Sequence, residues 1–542
     1  MQVRRLAAWA ALPLAVTLGL SACGKSGGSD SGGANPNGVV SIGIAEPKHL
    51  IPSNTSETSG SQVLAALFAP LVDFDEANKP YEVAAQEIST TDNKTWTIKL
   101  KDGWTFHNGE PVTADSYINA WNYAAYGPNA QDNNYFFDKV EGYKDLNPAD
   151  AKATPTATTL SGLKKVDDKT FTVTLSAPFS EFKSQLGYTA YYPLPNSAFE
   201  SATASPLVIA KAYEDAPVGN GPFKIKGTWQ HDAQVEVEKY DGFAGTKPSI
   251  GGALFKIYQN SDAEYADLQA NNLDVVKQIP TAALSTAQGD LGERYQTSPA
   301  STLQVLAFPT FDKRFAKAEV RKAISMAIDR EEIANKVFQG SQKAAYSFVS
   351  PVVAGYRDKT CGAACEFNAT EAKKLYDAND GPKSINITYN ADGGHQEWVD
   401  ATCNQLKANL GVECVGTPEA KFADLLTKAK AKKEIGMFRM GWVMDYPSME
   451  NYLGPLYSTG GSSNYYGYSN PTFDNLLKEG SAAPTQEEAI KKYQQAEDIL
   501  AQEMPVLPLR FGQNVFGSST KVKDVHIDLF NRVDLNKIQI VS

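Results

Sequence analysis

The first 38 residues constrain this chain most, because none of them can help build a core. Arg4 and Arg5 precede a short apolar run, Leu6–Leu20, which leads into "LSAC", Leu20–Cys23. The run has the length of a secretory h-region and falls short of the roughly 20 residues that span a bilayer. The motif matches a lipobox, in which Cys23 carries the lipid and becomes the first mature residue. An ordinary signal peptide with an incidental cysteine is the plainer alternative. "GKSGGSDSGGANPNG", Gly24–Gly38, is rich in Gly, Ser and Asn and reads as a flexible tether. The expected layout is a signal peptide over 1–22, a tether over 23–38 and a folded body from Val39. That body is expected outside the cytoplasm, anchored to the cell membrane by the lipid on Cys23.

A chain of 542 residues exceeds one ordinary core, so two or three domains are expected. Net charge is −11, and loss of the leader removes Arg4 and Arg5 and makes it two units more negative. No basic run follows the leader, which argues against nucleic-acid binding. The 25 Tyr and 7 Trp are more than a core needs and suit walls that meet a ligand with an apolar body and a polar tip. The five His are scattered, and neither His-Glu-x-x-His nor Gly-x-Ser-x-Gly occurs, so no catalytic function is expected.

Beyond Cys23 the chain holds Cys361, Cys365, Cys403 and Cys414, an even number that suggests disulfides in an exported protein. Residues 395–410 read as a helix whose apolar face carries Val399, Cys403, Leu406 and Leu410. Gly411 ends it, and a strand returns with Val412 and Cys414 on one side. Cys403 lies about 10 Å back along the helix and Cys414 about 10 Å along the strand, so the sulfurs can meet. Cys361 then pairs with Cys365 by elimination. A zinc site fits poorly, because the spacings are wrong and no His lies close to the pairs. No metal and no cofactor are expected.

Strand and helix patterns alternate along the body. "VVSIGIAE" (39–46), "TFTVTLSAP" and "SINITYN" read as strands. "AEVRKAISMAIDREEIANKVF" reads as one helix with Val320, Ile324, Ile328, Ile333 and Val337 on its apolar stripe. Gly-Asn-Gly-Pro at 219–222 marks a turn. The class is therefore α/β with mixed sheets.

Several stretches carry a resemblance. "TWTIKLKDGWTFHNGEPVTADSYINAWNY" (Thr95–Tyr123), "VGNGPFKI" (Val218–Ile225), the Asp329-Arg330 pair and "PVLPLRF" together resemble the extracytoplasmic solute-binding proteins of peptide ABC transporters. That is family 5, the oligopeptide- and dipeptide-binding family. The resemblance implies a two-lobed, periplasmic-binding-protein-like fold with an extra domain and a hinge. Lobe I would combine residues 39–70, 190–300 and 506–542, the extra domain would span 71–189, and lobe II 301–505. It implies a monomeric receptor that takes an oligopeptide in the interlobe cleft and passes it to membrane permease subunits. Relatives that bind nickel chelates, haem, sugars or opines, and peptide sensors without transport, keep the same fold.

The resemblance also assigns residues. Asp445, in "GWVMDYP", would hold the peptide ammonium, while the backbone of Gly441, Trp442 and Val443 pairs with the peptide. By the residues alone, Asp445 fits equally well as a turn or helix-capping acid before Pro447. Ser56–Thr58 would pair with the other peptide edge, and Tyr135 or Phe136 would contact the ligand or simply pack in the core. Arg439 and His395 match positions that meet a peptide carboxylate. Glu419 and Ala420 stand where many members carry a tryptophan, and Ser325 where some carry a lysine.

Overall fold

The computed structural model describes residues 35–541, apart from 76, 77, 149, 151, 392, 393, 421 and 434. The leader, Cys23 and most of the tether lie outside the described residues.

β1 (Val39–Ile44) forms where the alternation predicts it, with Val40 and Ile42 fully buried. The helix Thr58–Leu67 follows, capped by the Glu57 carboxylate, which accepts the Ser59 and Gly60 N–H groups at 2.6 and 2.8 Å. β2 (Val72–Phe74) and β3 (Pro80–Glu82) make a hairpin. β4 (Ala85–Thr90), β5 (Thr95–Leu100), β6 (Leu163–Asp167) and β7 (Thr170–Thr174) make an antiparallel sheet ordered β4-β5-β7-β6. In the 219–222 turn, glycine is needed for close approach. A Cβ on Gly219 would sit 1.9 Å from the Leu67 carbonyl oxygen, and one on Gly221 2.5 Å from Phe68 N. Asn220 between them accepts the Ala69 N–H at 3.0 Å.

The remaining strands are β8 (Phe223–Ile225), β9 (Gln234–Lys239), β10 (Gly252–Ile257), β11 (Val275–Val276), β12 (Tyr295–Ala307), β13 (Lys343–Ala344), β14 (Ser384–Asn390), β15 (Glu413–Glu419), β16 (Met437–Trp442), β17 (Val506–Ser518), β18 (Val522–Lys523) and β19 (Gln539–Ile540). Eleven of the strands join one mixed sheet, β15-β14-β16-β12-β17-β11-β1-β10-β9-β8, with β13 also on β17. β1 is parallel to β10 and β14 to β15, while β12 is antiparallel to β16 and β17.

The sheet serves two lobes, each with its own large apolar core. One core draws on Val40 to Phe255 and Val522 to Ile538, and the other on Leu303 to Phe511. β17 runs from the second core at Phe511 to the first at Phe516, and β12 from the second core at Leu303 to a smaller cluster beside Tyr295. Register slips where the cores change over: Pro299 faces Gln513 but Leu303 faces Phe511. β12 therefore carries extra backbone at Ala300–Thr302, a bulge in the strand that leaves one lobe for the other.

The single helix expected over Ala318–Phe338 is two, Ala318–Met326 and Arg330–Lys336. Asp329 breaks it by accepting the Glu332 N–H at 2.9 Å and starting a new helix. Arg330 turns inward, its guanidinium donating to the carbonyls of Pro508, Ser325 and Cys365 at 2.6, 3.0 and 3.0 Å and to Ser325 Oγ at 2.7 Å. Tertiary hydrogen bonds thus override an unbroken apolar stripe.

Both disulfides, Cys403–Cys414 and Cys361–Cys365, form with the pairing read from the sequence. The Cys403–Cys414 bond ties the helix Gln396–Leu410 to β15, and Gly411 closes that helix at φ 70°. Replacing both cysteines by alanine is expected to lower the unfolding free energy by about 2–3 kcal/mol, because the bond restrains the unfolded chain. The urea midpoint of the pure double variant measures this.

Candidate cleft site

β16 brings the candidate residues together. On one side it pairs with β12 along Phe438–Trp442, and on the other β14 reaches only Met437 and Phe438. From Arg439 onward, no strand among the described residues lies beside the edge turned away from β12. Gly441 lies across from Gln304, and a Cβ there would come within 2.7 Å of the Gln304 amide. Val443 continues beyond the strand and is half-buried.

Asp445 stands where this edge ends. Asn451, on the helix Met449–Tyr457, fixes it: Asn451 Oδ1 accepts both the Asp445 N–H at 2.8 Å and the Trp442 Nε1–H at 3.0 Å, and Asn451 Nδ2 donates to the carboxylate at 3.0 Å. That helix is capped by Ser448, whose Oγ accepts the Glu450 N–H at 3.1 Å, so Asp445 is not its cap. The Tyr188 phenol lies near enough to the carboxylate to favour its charged form. Asp445 keeps some exposure to the cleft, yet protein crowds it on every side. Loss of hydration dominates and lifts its pKa to about 7, with Glu450 adding repulsion, against the hydrogen bond of Asn451 and the nearby Tyr188 phenol. Burial, and then the charge of Asp445, push the phenols of Tyr135 and Tyr188 well above their ordinary range. Among the described residues, no cation forms an ion pair with Asp445; Lys139 sits instead 3.9 Å from Glu450. A carboxylate held this way, when ionised, can pair with a cation brought into the cleft.

A cavity of about 610 Å³ opens beside it, walled by Tyr135, Phe136, Lys139, Phe179, Asp445 and Leu477. The two lobes meet around it. Tyr446, next to Asp445, packs into the first core at 1% exposure and takes a bond from Gln185 Nε2 at 3.3 Å. The Ser180 N–H reaches the Ser481 carbonyl at 2.9 Å. The lobes are therefore closed on each other here.

Arg439 Nη1 donates to Asn390 Oδ1 at 3.3 Å, and the guanidinium lies 5.0 Å from the Phe422 ring. His395 is buried at the start of the helix Gln396–Leu410, its Nδ1 accepting the Trp398 Nε1–H at 3.1 Å. The Ser56–Thr58 segment is less strand-like than its assigned role asks. Glu57 is extended at φ −134°, but Thr58 is already the first residue of a helix. Ser56 is exposed and bonds Asp132. Ser325 is fully buried as a partner of Arg330, and Glu419 pairs with Lys428. Nothing in residue type or spacing singles out Tyr188, Gln185 or Tyr446, and little points to Asn451. The one available signal was the run of polar residues on the first turn of an otherwise apolar helix, "SMEN".

The family model for bacterial extracellular solute-binding proteins, family 5 (middle region), matches residues 79–464. The oligopeptide-binding protein OppA of Bacillus subtilis is 28% identical over 536 residues, 95% of each chain. Among solved structures, the murein tripeptide-binding protein MppA of Escherichia coli superposes with a TM-score of 0.80 at 22% identity, over 94% of this chain and 99% of its own. OppA of Haemophilus influenzae, in complex with RPPGFSPFR, gives 0.79 at 23% identity, over 94% and 100%. At these identities the two structures speak for the fold alone.

Proposed function

The chain belongs to the bacterial extracellular solute-binding proteins, family 5, whose members bind rather than catalyse, and from that premise we propose that it is an oligopeptide receptor feeding an ABC permease. One observation carries the reading: Asp445, a buried carboxylate with which no cation pairs among the described residues, stands at the end of a β16 edge that no described strand covers. A peptide of any sequence offers an ammonium for the first and backbone hydrogen bonds for the second. Arg439 and His395 lie further back as partners for its carboxylate, and Tyr135 lines the cavity beside Asp445. OppA of Bacillus subtilis, similar over nearly the full length, is named for oligopeptide binding, which supports the same ligand class. The lipobox-like "LSAC" supports anchoring through Cys23. In this reading lobe I is 39–70, 190–300 and 506–542, lobe II is 301–505, and 71–189 is the extra domain. The lobes open by bending at the bulged stretch of β12.

Calorimetric titration with alanine peptides of about three to five residues tests this. Ammonium binding needs Asp445 ionised, and its pKa near 7 in the free protein makes protonation compete. Affinity is therefore expected to fall about 20-fold between about pH 7.5 and about pH 5.5. The ligand-free protein should move the opposite way, because a raised carboxyl pKa means the folded state gains stability as pH drops through 7. A sugar or metal chelate that binds where every peptide fails would overturn the peptide reading.

A further inference from the structure

Arg510 is a buried cation with no role in the clamp described so far. It stands on β17 in the cross-strand row Gly441, Gln304, Arg510, which spans β16, β12 and β17. Residues directly opposite in antiparallel strands share a face, so Arg510 leaves the sheet on the face of Gly441, and Arg439, two residues earlier on β16, lies on that face as well. Arg510 is 5% exposed. Its Nε donates to Gln342 Oε1 at 2.6 Å, and its guanidinium stacks on Phe338 at 4.3 Å and Trp398 at 4.9 Å.

Two other buried arginines show how this chain satisfies a structural guanidinium. Arg330 donates to the carbonyls of Pro508, Ser325, Ile328 and Cys365 and to Ser325 Oγ. Arg321 donates to the carbonyls of Phe315, Ala316, Glu503 and Met504. Arg510 has one acceptor, and among the described residues no carboxylate pairs with it. A charge buried with so few partners is costly unless something else meets it.

Trp398 connects this cation to a second unmet group. The indole N–H occupies His395 Nδ1, so the neutral ring carries its proton on Nε2. Burial first, then Arg439 and Arg510, hold the ring neutral, with a pKa of about 2. The Nε2 atom is buried and has no hydrogen-bond partner, in a residue only 6% exposed. A stacked guanidinium and an idle N–H donor therefore share one tryptophan.

We propose that Arg510 is a further member of the carboxylate end, acting with the His395 Nε2–H on one ligand carboxylate, distinct from the Asp445 end and additional to Arg439. The inference rests on the peptide reading and narrows it. The guanidinium fork takes the two oxygens of a planar anion and the imidazole adds a third donor. The carboxylate is either the peptide terminus or an acidic side chain.

Four probes separate these sources: Ala-Ala-Ala, its C-terminal amide, Ala-Ala-Glu and Ala-Ala-Gln, with two- to five-residue alanine peptides to find the preferred length. The parent protein should prefer the terminal acid over the amide, or Glu over Gln, by roughly 100-fold. Arg510→Met should abolish whichever preference is present, yet leave the melting temperature of the ligand-free protein the same or higher, since it removes an unpaired buried charge. A residue with a purely structural role would show the reverse, a lower melting temperature with the preference intact. If the preference survives in Arg510→Met, the receptor is overturned while the peptide reading stands. If no alanine peptide binds the parent, both fall. Should Arg510→Met not fold, Arg510→Lys carries the test, since it keeps the charge and loses the fork. An undiminished preference there also overturns the assignment.

Discussion

The Asp445→Asn protein is expected to bind a free-amine peptide about 2–5 kcal/mol more weakly than its parent, while folding at least as well. The exchange keeps the shape and removes the charge that Asp445 offers an ammonium. Asn451 already holds the Asp445 backbone, and its Nδ2 can donate to an amide oxygen as it does to the carboxylate, so the local frame survives. The folded state loses a carboxylate that burial disfavours, which is why stability should not drop. The contrast that matters is between free and N-acetylated peptide. The parent should separate them strongly and Asp445→Asn should not. Equal affinity of the parent for the two peptides would remove the ammonium role from Asp445, whatever the variant does.

The second large effect is on stability and concerns Arg330. Arg330→Leu keeps the bulk but strips donors from the carbonyls of Ser325, Ile328, Cys365 and Pro508 and from Ser325 Oγ, all in the buried heart of lobe II. Several of these groups then have no partner and no water, and the expected loss is about 3–5 kcal/mol of unfolding free energy. An unfolding free energy, from urea titration, lowered by less than about 1 kcal/mol would mean that the helices at 318–336 relax and satisfy the carbonyls themselves. Arg330→Leu and Arg510→Met remove the same charge from similar burial and are expected to move stability in opposite directions, because one guanidinium is saturated with acceptors and the other is not.

Much of the fold was legible because it is local. Alternation marks β1, and the helix–glycine–strand spacing marks the Cys403–Cys414 bond, since both depend on neighbours within a few residues. The break at Asp329 was not legible. The apolar stripe continues through it, and only the carbonyls offered by residues as distant as Pro508 turn Arg330 inward. The site divides in the same way. Asp445 stood out only through the resemblance; from the residues alone it competed with a capping role, which the structure gives to Ser448. Tyr188 and Gln185 reach Asp445 and Tyr446 from more than 250 residues away, and no spacing in "SQLGYTA" announces that meeting. Arg510 looked like part of a strand, since an arginine's want of acceptors shows only once its neighbours are in place.

β17 is among the last strands in the chain, yet it lies inside the large sheet, between β12 and β11. A polypeptide threaded through a membrane amino end first delivers β1, β10 and β11 long before the strand that joins them to β12. Until Val506–Ser518 has crossed, both lobes lack an inner strand, since Val506–Phe511 belongs to the second core and Phe516 to the first. The topology therefore imposes an order of arrival: both lobes are completed only by the carboxyl end, and the cleft exists only when threading is finished. Such a receptor cannot take up cargo while part of it is still on the far side.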